Sequence, residues 1–142
     1  MFLFDTNVIS ELRRPDKADR NVFAWANALP AASVFISAIS ILEIERGALM
    51  IARKDAAQGA MLRSWVDHQI LLRFEGRVLA VNTAVAQRCA RLHVPDPRPE
   101  RDALIAATAL VHGLTVATRN VADFETTGVA LINPWEPRQA ED

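Results

Sequence analysis

With 142 residues and a mass of 15.7 kDa, the chain has the size of one ordinary domain, and 51% apolar against 23% charged residues gives it material for a real core. Sixteen Lys and Arg against 17 Asp and Glu leave a net charge of −1, which excludes holding nucleic acid or anionic lipid through bulk charge and leaves only local capture of phosphate. The single cysteine, Cys89, excludes an intrachain disulfide and a structural zinc site of several thiolates; it suits a reducing cytosol and reads as core filler.

The apolar residues 1–4 stop at Asp5 with no charged lead-in and no small-residue cleavage site, unlike a secretory leader. They are too short for a helix and run into the polar Asp5-Thr6-Asn7, as a buried strand ending in a loop would. After Arg14-Pro15-Asp16, residues 19–29 carry Val22, Phe23, Ala26 and Leu29 at helical spacing and end before Pro30. Residues 34–36 form a second strand, and Ser40 is placed to cap a helix over 41–53 in which Gly47 is the main breaker. A further helix covers 56–72, with Met61, Leu62, Trp65, His68 and Leu72 at three- and four-residue steps, ended by Gly76. A strand at 78–81 leads to a helix capped by Asn82 or Thr83 and running to Leu92. The run Val94-Pro-Asp-Pro-Arg-Pro cannot be helical. A helix opening at Glu100–Asp102, apolar all round from 103 to 111, closes at Gly113, and strands at 114–118 and 129–132 complete the chain. Strand and helix alternate, which predicts an α/β fold: a parallel sheet of four to five strands covered by helices on both faces, in one domain over 1–142. The longest apolar run, 34–52, is broken by Glu43, Glu45 and Arg46. It falls short of the roughly 18–20 uninterrupted residues that a membrane helix needs, so a soluble, cytoplasmic protein is expected.

Ligands of open parallel sheets bind beyond the carboxyl ends of the strands. Two such ends are polar: Asp5-Thr6-Asn7, and Thr118-Arg119-Asn120 with Asp123 a short turn later. Asp5 also reads as the N-cap of a short turn, and Asp102 as a first-turn carboxylate offsetting a helix dipole. A carboxylate at the start of so central a helix needs a partner. On the helix over 41–53 two acids compete. The helical wheel sets Glu45 among Ile41, Leu49 and Ala52, whereas Glu43 lies nearer the edge but shares a face with Gly47, whose missing side chain leaves a gap. Carboxylates from separate elements suit a hard cation such as Mg²⁺ or Mn²⁺, while zinc would require more nitrogen or sulfur. His68, His93 and His112 share no ligand spacing, and neither a nucleophilic Gly-x-Ser-x-Gly nor a glycine-rich phosphate loop is present.

Five pieces of the chain, in order and over nearly its whole length, resemble the PIN-domain ribonucleases of the VapC toxin type, and among them the FitB-like branch. They are Phe-Leu-Phe-Asp-Thr-Asn-Val-Ile-Ser-Glu at 2–11, Ile-Ser-Ala-Ile-Ser-Ile-Leu-Glu-Ile-Glu-Arg-Gly at 36–47, Asp-Ala-Leu-Ile-Ala-Ala-Thr-Ala at 102–109, Thr-Val-Ala-Thr-Arg-Asn at 115–120, and Asn-Pro-Trp at 133–135. The resemblance implies the PIN-domain fold. It also selects Glu43 over Glu45, because the family's Glu, aliphatic, two variable residues and Gly falls on Glu43-Ile44-Glu45-Arg46-Gly47. Asp5 and Asp102 match two further family acids. The fourth acidic position is occupied here by Asn120, which removes one negative charge and should weaken Mg²⁺ affinity, with Asp123 close enough in sequence to compensate.

The implied activity is hydrolysis of RNA phosphodiester bonds assisted by one or two carboxylate-held metal ions, on single-stranded or loop RNA such as that of transfer RNA. Asp5 and Asp102 are assigned to the metal, Glu43 to the metal or the attacking water, and Asn120 to the edge of the site. Thr6, Asn7 and Thr118 are supporting donors or acceptors, and Arg119 is a contact for substrate phosphate. The resemblance further implies a VapB/FitA-like antitoxin that blocks the cleft, and a homodimer within a larger toxin–antitoxin assembly, with Phe23, Trp25 or Trp65 as interface anchors or simply as core. Two readings compete. Asn120 would mark a degenerate site that binds RNA or protein without cutting, and an Asp after the first strand would also suit a phosphatase, although that class wants a second Asp where Asn7 stands.

Overall fold

The computed structural model describes residues 1–137. Five short strands form one all-parallel sheet in the order β3-β2-β1-β4-β5: β1 Phe2–Phe4, β2 Val34–Ser37, β3 Val78–Leu79, β4 Thr115–Ala117 and β5 Leu131–Ile132. The expected α/β architecture is therefore present at the upper strand number. The helices are α1 Thr6–Glu11, α2 Arg20–Asn27, α3 Ala38–Lys54, α4 Ala56–Trp65, α5 Leu71–Arg73, α6 Thr83–Leu92 and α7 Glu100–His112.

Strand β1 is central because it is apolar on both sides. Leu3 pairs with Phe35 of β2 and Val116 of β4. It packs with Ile105, Ala106 and Ala109 of α7, while Phe4, one residue on, faces the other layer with Val8, Trp25, Ile44, Val66 and Ile70. This is the two-residue alternation of a strand read out on two cores. The all-apolar helix α7 lies deep, with Ala103, Ile105, Ala106, Ala107, Thr108 and Ala109 buried, and Gly113 closes it in the left-handed conformation at φ 68°.

Three expectations change. The cap of α3 is Ser37, whose side chain accepts from the Ile39 N–H, so Ser40 lies inside the helix and not before it. The buried face of α3 is Ser40, Ile44 and Ala48, and Leu49 is 62% exposed, so the apolar arc of the helical wheel is not the inner face. The predicted helix over 56–72 is α4 and α5 joined by a π-helical turn, Val66–Ile70, a widening that brings Val66 and Ile70 into the core. Of the two readings of Trp25 the core one holds: its ring packs edge-on to Phe2 at 5.1 Å and lies 5.5 Å from Phe4. Of the other candidate interface anchors, Trp65 is half-buried against the same core, and Phe23 is partly exposed beside an apolar cavity of about 440 Å³ that Phe4, Leu12 and Phe74 also line.

Cys89 fills the core between α6 and α7 as expected, with Val85, Ala103 and Ala107. Among the described residues no helix is long and apolar enough to cross a membrane.

Candidate functional site

From β1 the chain moves outward to β2 and β3, and later to β4 and β5 on the other side, so the order reverses at β1. The carboxyl ends of β1 and β4 are adjacent there, with Ala117 opposite Phe4. This is where a crevice forms in a parallel sheet, and each end delivers its polar residues into it.

Asp5 ends β1 and caps α1 at once. Its Oδ1 accepts the Thr6 N–H at 2.8 Å, and its Oδ2 accepts the Thr118 hydroxyl at 2.7 Å and the Asn7 amide at 3.2 Å. Capping and a site role are compatible because Oδ1 accepts the one cap bond and keeps a further lone pair. Burial nevertheless pushes the Asp5 carboxyl above the ordinary carboxylate range, assisted by the negative charge of Glu43 and opposed by these three hydrogen bonds. Thr118, fully buried, also accepts the Asn120 N–H at 3.1 Å, and the Asn7 carbonyl accepts the Arg119 N–H at 3.3 Å. The two strand ends are thus laced together through Thr118 and Asn7.

Glu43 and Glu45 separate cleanly. Glu45 faces α4, where Arg63 grips it with two hydrogen bonds of 2.6 and 2.8 Å and also pairs with Asp67 at 2.8 Å. The Arg63 hydrogen bonds hold its carboxyl below the usual range. Glu43 faces α1: its Oε1 accepts the Thr6 hydroxyl at 2.8 Å, and its Oε2 lies 3.6 Å from Arg101 Nη1. The acid favoured by the wheel is held in a helix–helix ion pair, and the acid at the edge is bonded to Thr6, the residue after Asp5.

Asp102, in the first turn of α7, is half-buried, and its carboxyl is raised first by burial and then by the charges of Asp5, Asp123 and Glu43. Four carboxylates from four segments therefore share one field. Asp123, in the turn Val121–Asp123, is one of them. Asn120 is tied to the site through its backbone N–H to Thr118 and, with Arg119 and Asp123, lines an open polar basin of about 600 Å³. The Arg119 guanidinium lies 5.3 Å from the Trp135 ring. Carboxylates that repel one another suit a hard divalent cation, but among the described residues no three of these acids bring their ligand atoms within 4.8 Å of one another.

Two residues of this neighbourhood were not singled out for the site in sequence. Arg101 carries no periodic signal. Ser40 could have been found, since it stands three residues before Glu43 on the same helical face. A second donor cluster also escaped notice: Cys89, His93 and Glu100 bring one ligand atom each within 4.8 Å of one another. Its histidine is set against a metal. The Nδ1 accepts the Arg98 N–H at 3.3 Å, which leaves the ring proton on Nε2, the atom that faces Glu100 at 3.6 Å.

The PIN domain family model matches residues 2–128. VapC ribonuclease Y4jK of Sinorhizobium fredii is 34% identical over 142 residues, covering 96% of this chain and 99% of that protein. Toxin FitB of Neisseria gonorrhoeae is 37% identical over 141 residues, covering 95% and 99%. Among solved structures, FitAB bound to a DNA fragment superposes with a TM-score of 0.89 at 34% identity, over 99% of this chain and 100% of the other. DNA-bound VapBC from Salmonella typhimurium superposes with a TM-score of 0.74 at 25% identity, over 94% and 97%.

Proposed function

This chain belongs to the PIN-domain family, and on that premise we propose that it is the toxin of a toxin–antitoxin pair, a divalent-metal-dependent endoribonuclease that hydrolyses RNA phosphodiester bonds. The observation that carries the reading is that the charges of Asp5, Glu43 and Asp123, from three other segments, all act on the Asp102 carboxyl, with Asp5 standing where the strand order reverses.

Asp5 and Asp102 would hold the cation, Mg²⁺ or Mn²⁺, with Glu43 beside them. When bound, the cation supplies Lewis-acid polarisation of the scissile phosphate and offsets the charge that builds on it. The chain's own residues do the positioning. Thr118, Asn7 and the Thr6 N–H fix both oxygens of Asp5, and the Thr6 hydroxyl fixes one oxygen of Glu43. Glu43 Oε2, with Arg101 Nη1 at 3.6 Å, would accept a proton from the attacking water or help to hold the cation. Asp123 supplies the fourth negative charge that Asn120 does not, and Arg119 contacts a substrate phosphate from the rim. The substrate class is single-stranded or loop RNA, with transfer RNA the first candidate.

The partner is a VapB/FitA-like antitoxin, since the solved relatives are toxin–antitoxin complexes, some of them on DNA. We read residues 1–142 as one PIN domain that works in the cytoplasm as a homodimer within that larger complex.

The test is cleavage of a mixed transfer RNA pool by protein freed of its partner, with Mg²⁺ or Mn²⁺, with EDTA, and with Asp5→Asn. Cutting that needs both metal and Asp5 supports the nuclease. A folded wild type that binds Mn²⁺ without cutting would move the reading to a silent RNA- or protein-binding module, and recovery with Asn120→Asp would then name the cause.

A further inference from the structure

Ser40 is completely buried in α3, and its hydroxyl lies 3.0 Å from Thr6 Oγ1, which in turn lies 2.8 Å from Glu43 Oε1. The direction of these bonds follows from counting protons. Thr6 has a single hydroxyl hydrogen, and a carboxylate has none to give, so Thr6 donates to Glu43 and must accept from Ser40. The one proton of Ser40 is committed to Thr6.

That commitment is a departure from ordinary helix chemistry. A buried hydroxyl inside a helix usually bonds back to the carbonyl four residues earlier, as Thr108 does to Leu104 at 2.7 Å in α7. Ser40 instead turns its proton across to α1. Thr6, so fixed, touches both neighbouring acids: its N–H bonds Asp5 and its hydroxyl bonds Glu43. A hydroxyl that also accepts a hydrogen bond is polarised and donates more strongly, the more so with one member of the chain fully buried. Without Ser40, the Thr6 hydroxyl is free to rotate and donate elsewhere, and Glu43 loses the group that selects its rotamer.

We propose that Ser40 is a positioning residue, acting through Thr6 to fix the Glu43 carboxylate in the geometry the cation needs. The inference rests on the metal-site reading above. Ser40→Ala removes the first donor, Ser40→Cys keeps a weaker donor in a somewhat larger side chain, and Thr6→Val removes the relay while keeping its shape.

Two readouts are taken on each variant and on Ser40→Ala/Thr6→Val: Mn²⁺ affinity by titration calorimetry, and kcat and KM for RNA cleavage. Losing a neutral hydrogen bond at Ser40 is expected to weaken Mn²⁺ binding and lower kcat by about 3- to 10-fold, with KM for RNA unchanged. Losing the bond to the carboxylate in Thr6→Val is expected to cost about 10- to 100-fold. The double variant should match Thr6→Val alone, because Ser40 has nothing left to act through.

Full additivity in the double variant, or wild-type Mn²⁺ affinity and kcat in both Ser40→Ala and Ser40→Cys, would overturn the proposal. A wild type that neither binds Mn²⁺ nor cuts would overturn the metal-site reading itself, which keeps the two failures apart.

Discussion

Two glycines lie in successive helices, and the structure gives their replacement by alanine opposite signs. A Cβ on Gly59 of α4 would stand 2.4 Å from the Ala52 Cα and 2.5 Å from its Cβ, where ordinary contact begins at 3.4 Å. The backbone of α3 would have to retreat by about 1 Å at Ala52. Overpacking of this kind costs about 1–3 kcal/mol, and the clash with backbone puts Gly59→Ala near the upper end. The gain in helix propensity returns at most about 1 kcal/mol, leaving a net loss of about 2 kcal/mol. Gly47 of α3 is different: nothing lies within 4 Å of its would-be Cβ, so Gly47→Ala keeps only the propensity gain, about 0.5–1 kcal/mol. With a urea m-value of about 2 kcal/mol/M, the unfolding midpoint should fall by about 1 M in Gly59→Ala and rise by about 0.3–0.5 M in Gly47→Ala. The assay is urea unfolding followed by tryptophan fluorescence, with equal m-values required. Midpoints that move in the same direction would refute the close-contact argument. Gly47→Ala carries a functional reading as well. The fold does not need this glycine, which stands one turn beyond Glu43. The more stable variant is therefore expected to raise KM for RNA while leaving Mn²⁺ affinity unchanged, as it should if the open space admits substrate.

Glu43→Gln should lower metal-dependent cleavage by about 100-fold or more, whereas Glu45→Gln should leave cleavage within about two-fold and only lower the unfolding temperature, because Glu45 is spent on Arg63. The Asp102 carboxyl is raised above its ordinary value, so as pH rises the folded chain gives up that proton later than the unfolded chain does. Stability from this group is therefore present at low pH and lost as pH rises through the raised carboxyl's titration. Asp102→Asn, in EDTA, should unfold at a higher temperature than wild type at pH 7 and at the same temperature near pH 4; a lower temperature at pH 7 would contradict the assignment. The Mn²⁺-induced rise in unfolding temperature should be larger at pH 7 than at pH 5 in wild type and small in Asp102→Asn. Asp123→Asn should weaken Mn²⁺ binding and Asn120→Asp should strengthen it, each measured by calorimetry; indifference to Asp123→Asn would remove that residue from the donor set.

The frame of the site was legible in the sequence wherever local chemistry and tertiary placement agree. Residues 1–4 could only be a short buried strand, so Asp5 had to stand at its end. An all-apolar helix had to lie at the centre, so Asp102 had to begin it there. The strand-then-helix order predicted the parallel sheet, and the sheet predicted the crevice. The side of α3 was not legible. Leu49 and Met50 are exposed, while a serine is buried, so an apolar wheel points the wrong way. The fate of Glu45 depends on Arg63, eighteen residues on in the next helix, and that of Glu43 on Thr6, thirty-seven residues back. Nothing periodic records such pairs.

These failures share a cause. A chain that folded for stability alone would not set Asp5, Glu43, Asp102 and Asp123 in one field, where burial and mutual repulsion raise Asp5 and Asp102. Nor would it bury Ser40 so that its hydroxyl serves another helix. Patterning rules describe a core closing on itself, and they hold across β1, β4 and α7. They fail at the acids and at the groups that orient them, where local rules give way to the demands of a site. Glu45 supplies the internal control. It lies on the same helix, two residues from Glu43, and both its oxygens are held by Arg63. Among the described residues Glu43 has Arg101 at 3.6 Å as its one paired counter-charge, a looser pairing that leaves this acid with more charge for a cation to neutralise than its neighbour has.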